Sequence, residues 1–381
     1  MSFEEIKQQK IDRFLKAVAY EEVDRTPVST QGGVAMSRYV DPTIQPGDLI
    51  HNIEHAMDTY IEGLIALEID MPAAYEYPMA MEAMAKSTGL GYTEFPGIEL
   101  PYESYWQFRE TDVLQVEHYD YIVENGLEAY QQNVVFPITG QINFEYLAKI
   151  PEVMGMYMQK IADTPVPAPL PGAMGLSGNL HFLNWGRGMG NYLLDMRRMP
   201  EKVAAAAKAI DDYQFETAII PALQEKPVIF TVFNVRDDQD AMRLDVWEKY
   251  IWPYYLRVQA AIEEYSPDTI LQFHIDGNYT KHAIQIFARD LRPGKTIIQF
   301  DGMEDSEAMA EALTASKICF FGDVHPAMLT LGTPEEVYNY CMQLKRLYGN
   351  GLILSSGCSL PPDTKPENLK AMVDAAHDSV R

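Results

Sequence analysis

From Lys226 onward the chain alternates short apolar runs with longer amphipathic ones, five times in succession. PVIFTVFNV, TILQFHIDGN, TIIQFDG, ICFFGDV and GLILSSGC are each followed by a stretch with helical spacing. Runs that are apolar on both faces need cover on both, so this repetition specifies a parallel sheet with helices packed outside it. Each run ends in polar or small residues: Asn234, Asp276–Gly277–Asn278, Asp301–Gly302, Gly322–Asp323 and Gly357–Cys358. The carboxyl ends of parallel strands carry the chemistry in barrels and open sheets alike.

The first half supplies three further strand patterns, PVSTQGG at 27–33, IDMPAAYEY at 69–77 and APLPGAMG at 168–175. Five late strands and three early ones make eight. The expected fold is therefore α/β, a single (β/α)8 TIM barrel spanning 1–381, with an N-terminal helical arm over about 1–25 and helical insertions that include 102–135. A length of 381 residues alone would also allow two or three domains. Neither an internal repeat nor a low-complexity linker supports that division. Helix signals agree with the barrel: Thr333 precedes Pro334, Glu335 and Glu336, and Thr364, Pro366 and Glu367 repeat the pattern less tidily.

Composition narrows the function. Thirty Lys and Arg stand against 55 Asp and Glu, a formal charge of −25, with the basic residues scattered singly. Phosphate backbones and anionic lipid both require clustered cations, so no nucleic acid and no membrane is expected as a partner. The start, MSFEEIKQQKIDRFLKAV, is a charged amphipathic helix without the apolar core of a signal peptide, and three cysteines are too few for a disulfide framework. A soluble cytoplasmic protein is the expectation. The oligomeric state is left open, a homodimer included.

The sharpest local motif is FHIDGN at 273–278. Side chains alternate along a strand, so His274 and Asp276 project to one face. Cys358 ends a later strand, and the strand ends of a barrel converge on one mouth. Imidazole, carboxylate and thiolate are normal zinc ligands, and three of them with an open position form the catalytic pattern. The bland alternative is a structural His and a buried Cys. Cys319, three residues before Gly322, competes as a ligand but reads as core, as does Cys341. Asp301 ends the next strand and is a candidate to orient His274 or to donate a proton. His325 is a candidate shuttle, or the structural start of a loop. Tyr75, Glu76, Tyr77, Phe182, Asn184, Trp185, Arg187, Asn234, Arg236 and Asp237 lie at or just after strand ends, as candidate walls of a substrate pocket. Met-rich stretches such as MPAAYEYPMAMEAMA read either as core filler or as an adaptable docking surface.

HIDGN, GDVHPAMLTLGTPEEV and ILSSGCSLPPDTKPENLKAMVDAA together resemble the uroporphyrinogen decarboxylase superfamily, within it the zinc-dependent, corrinoid-linked methyltransferases. The branch most resembled is the methyltransferase I component of anaerobic systems that O-demethylate aryl methyl ethers. The resemblance covers 270–377 well and extends more weakly over 181–203 and 120–130. It implies a barrel with an N-terminal helical extension, zinc at His274, Asp276 and Cys358, and transfer of a methyl group to the Co(I) corrinoid of a separate protein. No Asp-x-His-x-x-Gly corrinoid motif occurs in the chain. Asp276 stands where the family pattern has a Cys, a harder ligand that leaves the metal a stronger Lewis acid. True decarboxylases look to an Arg-rich N-terminal segment to hold a tetrapyrrole polyanion, and here that segment holds only Arg25 and Arg38. A uroporphyrinogen-type decarboxylase, a methyltransferase using methanol or another small donor, and a non-catalytic barrel are the rival readings.

Overall fold

Strand pairing follows the chain. The computed structural model describes residues 1–72, 92–109, 112–139 and 144–379. Strands β1 (Ser29–Thr30) and β2 (Met71–Pro72) pair in parallel. An antiparallel hairpin follows, β3 (Tyr92–Glu94) with β4 (Gln107–Arg109). Then come β5 (Gly172–Gly175), β6 (Ile229–Val235), β7 (Ile270–Asp276), β8 (Thr296–Gln299), β9 (Cys319–Phe321) and β10 (Leu352–Ile353), each hydrogen-bonded in parallel to the next. A parallel bridge from Val28 to Leu354 joins β1 to β10, through Ser29 N to Leu354 O at 2.8 Å and Leu354 N to Pro27 O at 2.9 Å. Eight parallel strands thus lie in the order β2, β1, β10, β9, β8, β7, β6, β5, at the eight places the apolar runs indicate. No ladder joins β2 to β5 among the described residues. Met71 of β2 nonetheless shares one buried cluster with Ile229 of β6, so the sheet curls round a common interior as in a (β/α)8 barrel.

That interior is sorted by the two-residue alternation. Met71, Ile229, Ile270, Ile297, Cys319, Phe321 and Ile353 meet inside, and the helix α1 (Phe3–Val18) packs Phe14, Ala17 and Val18 into the same cluster. The arm therefore closes the amino-terminal end of the barrel. The alternate residues, among them Phe230, Val232, Leu271, Phe273, Ile298, Phe320 and Leu354, face the outer helices in the main core. Apolar side chains on both faces are what a sheet buried on both sides demands. No described helix is long and apolar enough to cross a membrane.

Two local readings are refined. Residues 102–135 are not wholly helical: Gln107–Arg109 pairs with Tyr92–Glu94, and the helix begins only at Val116. The aromatic, alternating run around Trp106 and Phe108 suits a pleated strand better than a helix. Thr333 caps Pro334–Tyr348 in a reciprocal box with Glu336, as its sequence indicates, whereas Pro366–His377 starts from Lys365 and Thr364 caps nothing.

One buried carboxylate ties the arm to the barrel. Asp70 is fully buried immediately before β2. It accepts hydrogen bonds from Arg13 of α1, from Arg25 at 2.6 and 2.9 Å, and from the Val28 amide at 2.8 Å. Removing one partner of such a group leaves uncompensated buried charge, which costs about 3–5 kcal/mol. Asp70→Ala is therefore expected to lower the unfolding free energy in urea by that amount. Asp212→Ala, which breaks half-exposed pairs with Lys208 and Arg257, should change it by less than about 1 kcal/mol.

Candidate metal centre

Near the carboxyl end of β7, His274 and Asp276 point into the barrel, two residues apart and in phase with Ile270 below them. Cys358 arrives from the turn after β10. One ligand atom from each of the three lies within 4.8 Å of the other two, and the His274 Nε2 to Asp276 Oδ1 distance is 3.4 Å. No other group of this kind occurs among the described residues.

The imidazole is oriented from behind. β7 and β8 pair in register with His274 opposite Gln299, and the His274 Nδ1–H donates to Gln299 Oε1 at 3.0 Å. Gln272 Nε2 donates to the same oxygen at 3.4 Å, which fixes the end of the amide that faces the ring. With Nδ1 engaged, Nε2 is the nitrogen turned toward Asp276 and Cys358. This is the carbonyl-to-imidazole support that metal-binding histidines commonly have.

The electrostatics match a site suited to a cation. Burial alone would keep His274 neutral, yet the Asp276 carboxylate and then the Cys358 sulfur raise its pKa well above the ordinary imidazole value. Burial pushes Asp276 up, but His274 more than offsets this and holds the carboxyl below its usual range. Burial pushes the Cys358 thiol up, His274 working against it. Asp276 Oδ1 is buried with no hydrogen-bond partner. A zinc ion fits this donor set: one imidazole nitrogen, one carboxylate oxygen with a lone pair to give, and one sulfur. Cys319 is no part of it. Its side chain lies in the apolar floor of the barrel, where burial pushes the thiol far up.

The other candidate residues divide. Asp301 is close by, but its oxygens accept from the amides of Gly277 at 2.9 Å and Met303 at 3.0 Å. Gln299, not Asp301, orients the imidazole. Burial raises the Asp301 pKa, the two amides opposing. Beside it Glu304 is driven well above the normal carboxyl range, first by burial and then by the charges of Asp301 and Asp323. His325 caps the helix Pro326–Leu331, its Nδ1 accepting from the Ala327 amide at 3.0 Å.

Of the wall candidates, Trp185 and Arg236 join an aromatic row. Phe233 meets the His274 ring edge-on at 5.7 Å, His181 meets Phe233 at 5.7 Å, Trp185 meets His181 at 5.2 Å, and Phe108 meets Trp185 at 5.0 Å. The Arg236 guanidinium lies 5.0 Å over Phe108. Phe182 sits in the main core instead. Arg187 is taken up by Asp195 at 2.8 Å and Asp112 at 3.1 Å. Asn234 faces away from the lumen and accepts from Tyr255 at 2.9 Å, and Asp237 accepts from Tyr279 at 2.6 Å. Asn184 is buried with its carbonyl oxygen unpartnered among the described residues. Tyr75, Glu76 and Tyr77 lie outside the described residues. Sequence reasoning missed Gln299, Phe233, His181 and Phe108. A lone Gln inside TIIQF was the available signal for the first.

Among known families, the one described as uroporphyrinogen decarboxylase (URO-D) matches residues 181–379, a span that holds all three candidate ligands. No curated protein matches the chain in sequence. Among solved structures, a methyltransferase from Methanosarcina mazei is similar with a TM-score of 0.62 at 15% identity, covering 96% of this chain and 97% of that one. At that identity the likeness is one of fold.

Two substitutions test the site. Protein loaded with Co(II) is expected to show thiolate-to-metal charge-transfer absorption, and Cys358→Ala should abolish it. Gln299→Leu should weaken metal binding by roughly 10–100-fold in competition with a chromophoric chelator, because the ring loses its anchor.

Proposed function

The chain belongs to the uroporphyrinogen decarboxylase family, and on that premise we propose that it is a zinc-dependent methyltransferase. It takes a methyl group from an aryl methyl ether and passes it to the Co(I) corrinoid of a separate protein. The observation that carries this reading is the meeting of His274, Asp276 and Cys358 in the barrel, with the aromatic row beginning at Phe233 against the same imidazole.

His274, Asp276 and Cys358 would hold the zinc ion, which supplies a Lewis acid for the oxygen that leaves the methyl group. The residues around it do the rest. Gln299 keeps the imidazole in one tautomer and orientation. Phe233, His181 and Trp185 offer ring faces and edges against which an arene can stack. His181 stays neutral, burial lowering its pKa to about 3, so this wall adds no charge. Asp301, whose pKa burial raises against the Gly277 and Met303 amides, would give a proton to the departing oxygen. As the C–O bond breaks its electron pair stays on that oxygen, and the corrinoid supplies the pair that binds the methyl group.

The decarboxylase alternative meets an obstacle in the N-terminal segment. Arg25 is paired with Asp70. Arg38 is engaged by Ile44 O at 2.7 Å, Pro362 O at 2.7 Å and Gln45 Oε1 at 2.8 Å. Neither guanidinium is left for a polycarboxylate.

The test supplies the purified protein with a Co(I) corrinoid and a panel of methyl donors, following the absorbance of methyl-Co(III). Aryl methyl ethers are expected to react, and Cys358→Ala to slow transfer by on the order of 10³-fold, the loss of several kcal/mol of charge stabilisation. Reaction with methanol alone would move the donor but keep the enzyme class. Silence with every donor, together with turnover of a polycarboxylate porphyrinogen, would overturn the reading.

A further inference from the structure

Gln31 follows β1, is 1% exposed, and neither its Oε1 nor its Nε2 has a hydrogen-bond partner among the described residues. Ser355, two residues past Ile353, is fully buried, and its Oγ likewise finds none. Both face the lumen by phase. Ser29 is in register with Met71, and side chains paired across parallel strands share a face, so Ser29 looks the same way as the interior Met71 and Gln31 follows two residues on. Ile353 is interior too, which puts Ser355 on that face, while the bridged pair Val28 and Leu354 packs on the outer one. The Leu360 amide donates to the Gln31 carbonyl at 3.1 Å, only two residues past Cys358. The residue that carries the unengaged amide is therefore hydrogen-bonded through its backbone to the segment that delivers the candidate metal ligand.

Buried side-chain amides are rarely left without partners, and each such group calls for an explanation. Nothing in the methyl transfer described above uses Gln31 or Ser355. A primary amide presents an acceptor and donors side by side in one plane. An uncharged group that both donates and accepts satisfies both ends. A carboxylate would satisfy Nε2 but confront Oε1 with its own lone pairs, and an ammonium would do the reverse. The nearby Arg25 and Arg38 are engaged elsewhere and add no charge to draw an anion in.

We propose that Gln31, with Ser355, forms the subsite that recognises a neutral hydroxyl or primary amide substituent on the methyl donor, and so sets which ring is accepted at the metal. This rests on the methyl-transfer reading, since it places the donor's substituent in the lumen beside Cys358. The selectivity is expected to be large because a site built to bond a hydroxyl leaves buried polar groups unpaired when the analogue lacks it.

The probes are 2-methoxyphenol and methoxybenzene, titrated by calorimetry into the zinc-loaded full chain without corrinoid, and then compared as methyl donors. Wild-type protein should bind 2-methoxyphenol at least tenfold more tightly, and Gln31→Met should bring the ratio of the two affinities close to one. Ser355→Ala should reduce the ratio partway. The thermal midpoint of ligand-free Gln31→Met should equal or exceed that of wild type, because the substitution removes a buried amide with no partner. A sharp fall in that midpoint, or a ratio unchanged in Gln31→Met, overturns the subsite and leaves methyl transfer standing. Binding and reaction of neither probe in wild-type protein overturns the aryl-ether reading, and the subsite with it.

Discussion

The structure depends on the filling of the barrel from below. Parallel strands in register send every second side chain inward, and on β6 to β10 the first inward residue is apolar: Ile229, Ile270, Ile297, Cys319 and Ile353. Phe14 and Val18 of α1 seal that layer from the open end, and the Asp70 carboxylate holds α1 there through Arg13. Water is thus excluded from the floor. The inward residues one turn of the pleat higher, Gln272, Gln299 and Ser355, are consequently buried polar groups, and the next layer up is His274. A gradient from dry to polar along one lumen follows from strand phase alone, and each polar residue in it calls for a partner from a neighbouring strand or from a bound molecule.

Register decides who that partner is. Because His274 is paired with Gln299 rather than with a residue one place along, the amide oxygen of Gln299 meets Nδ1 and the other nitrogen is turned to Asp276 and Cys358. A slip of one residue would present Ile298, an outward-facing residue, and leave the imidazole free to rotate. The close packing at the strand ends points the same way. A Cβ on Gly357 would lie 2.3 Å from the carbonyl oxygen of Asp301, so the turn carrying Cys358 approaches β8 only because residue 357 is glycine.

Much of this was legible in the sequence, for identifiable reasons. The five late strands declared themselves because a sheet buried on both faces writes an unbroken apolar run, whereas the three early ones, PVSTQGG, IDMPAAYEY and APLPGAMG, carry no such run and were inferred to complete eight. His274 and Asp276 were readable because a spacing of two fixes a shared face, and Cys358 because barrel strand ends converge. Gln299 was not, since its role arises only from inter-strand register, which no local pattern records. The aromatic row escaped because Phe108 reaches Trp185 from a hairpin strand, inside a segment whose spacing read as helical. Arg187 and Asp237 were placed by their positions after strands. Position says where a side chain starts, but Asp195 and Tyr279 on later elements decide where it ends.

Charge finally bears on how a protein of −25 could run the proposed reaction, which generates an anion. The excess acids are largely exposed, where solvent and salt screen them. Those near the mouth behave differently: Asp301 and Glu304 are raised by burial, and Asp323 is pushed up to about 6. Such groups resist any added negative charge, which disfavours a polyanionic substrate and favours a neutral one. A divalent cation held by the Asp276 carboxylate and the Cys358 thiolate would bring the ligand set to zero formal charge. The departing oxygen would then carry the first net negative charge in the lumen, beside a carboxyl whose affinity for its proton burial has already raised. Burial that looks costly in three neighbouring acids is thus what would let one of them hold the proton that the proposed reaction needs.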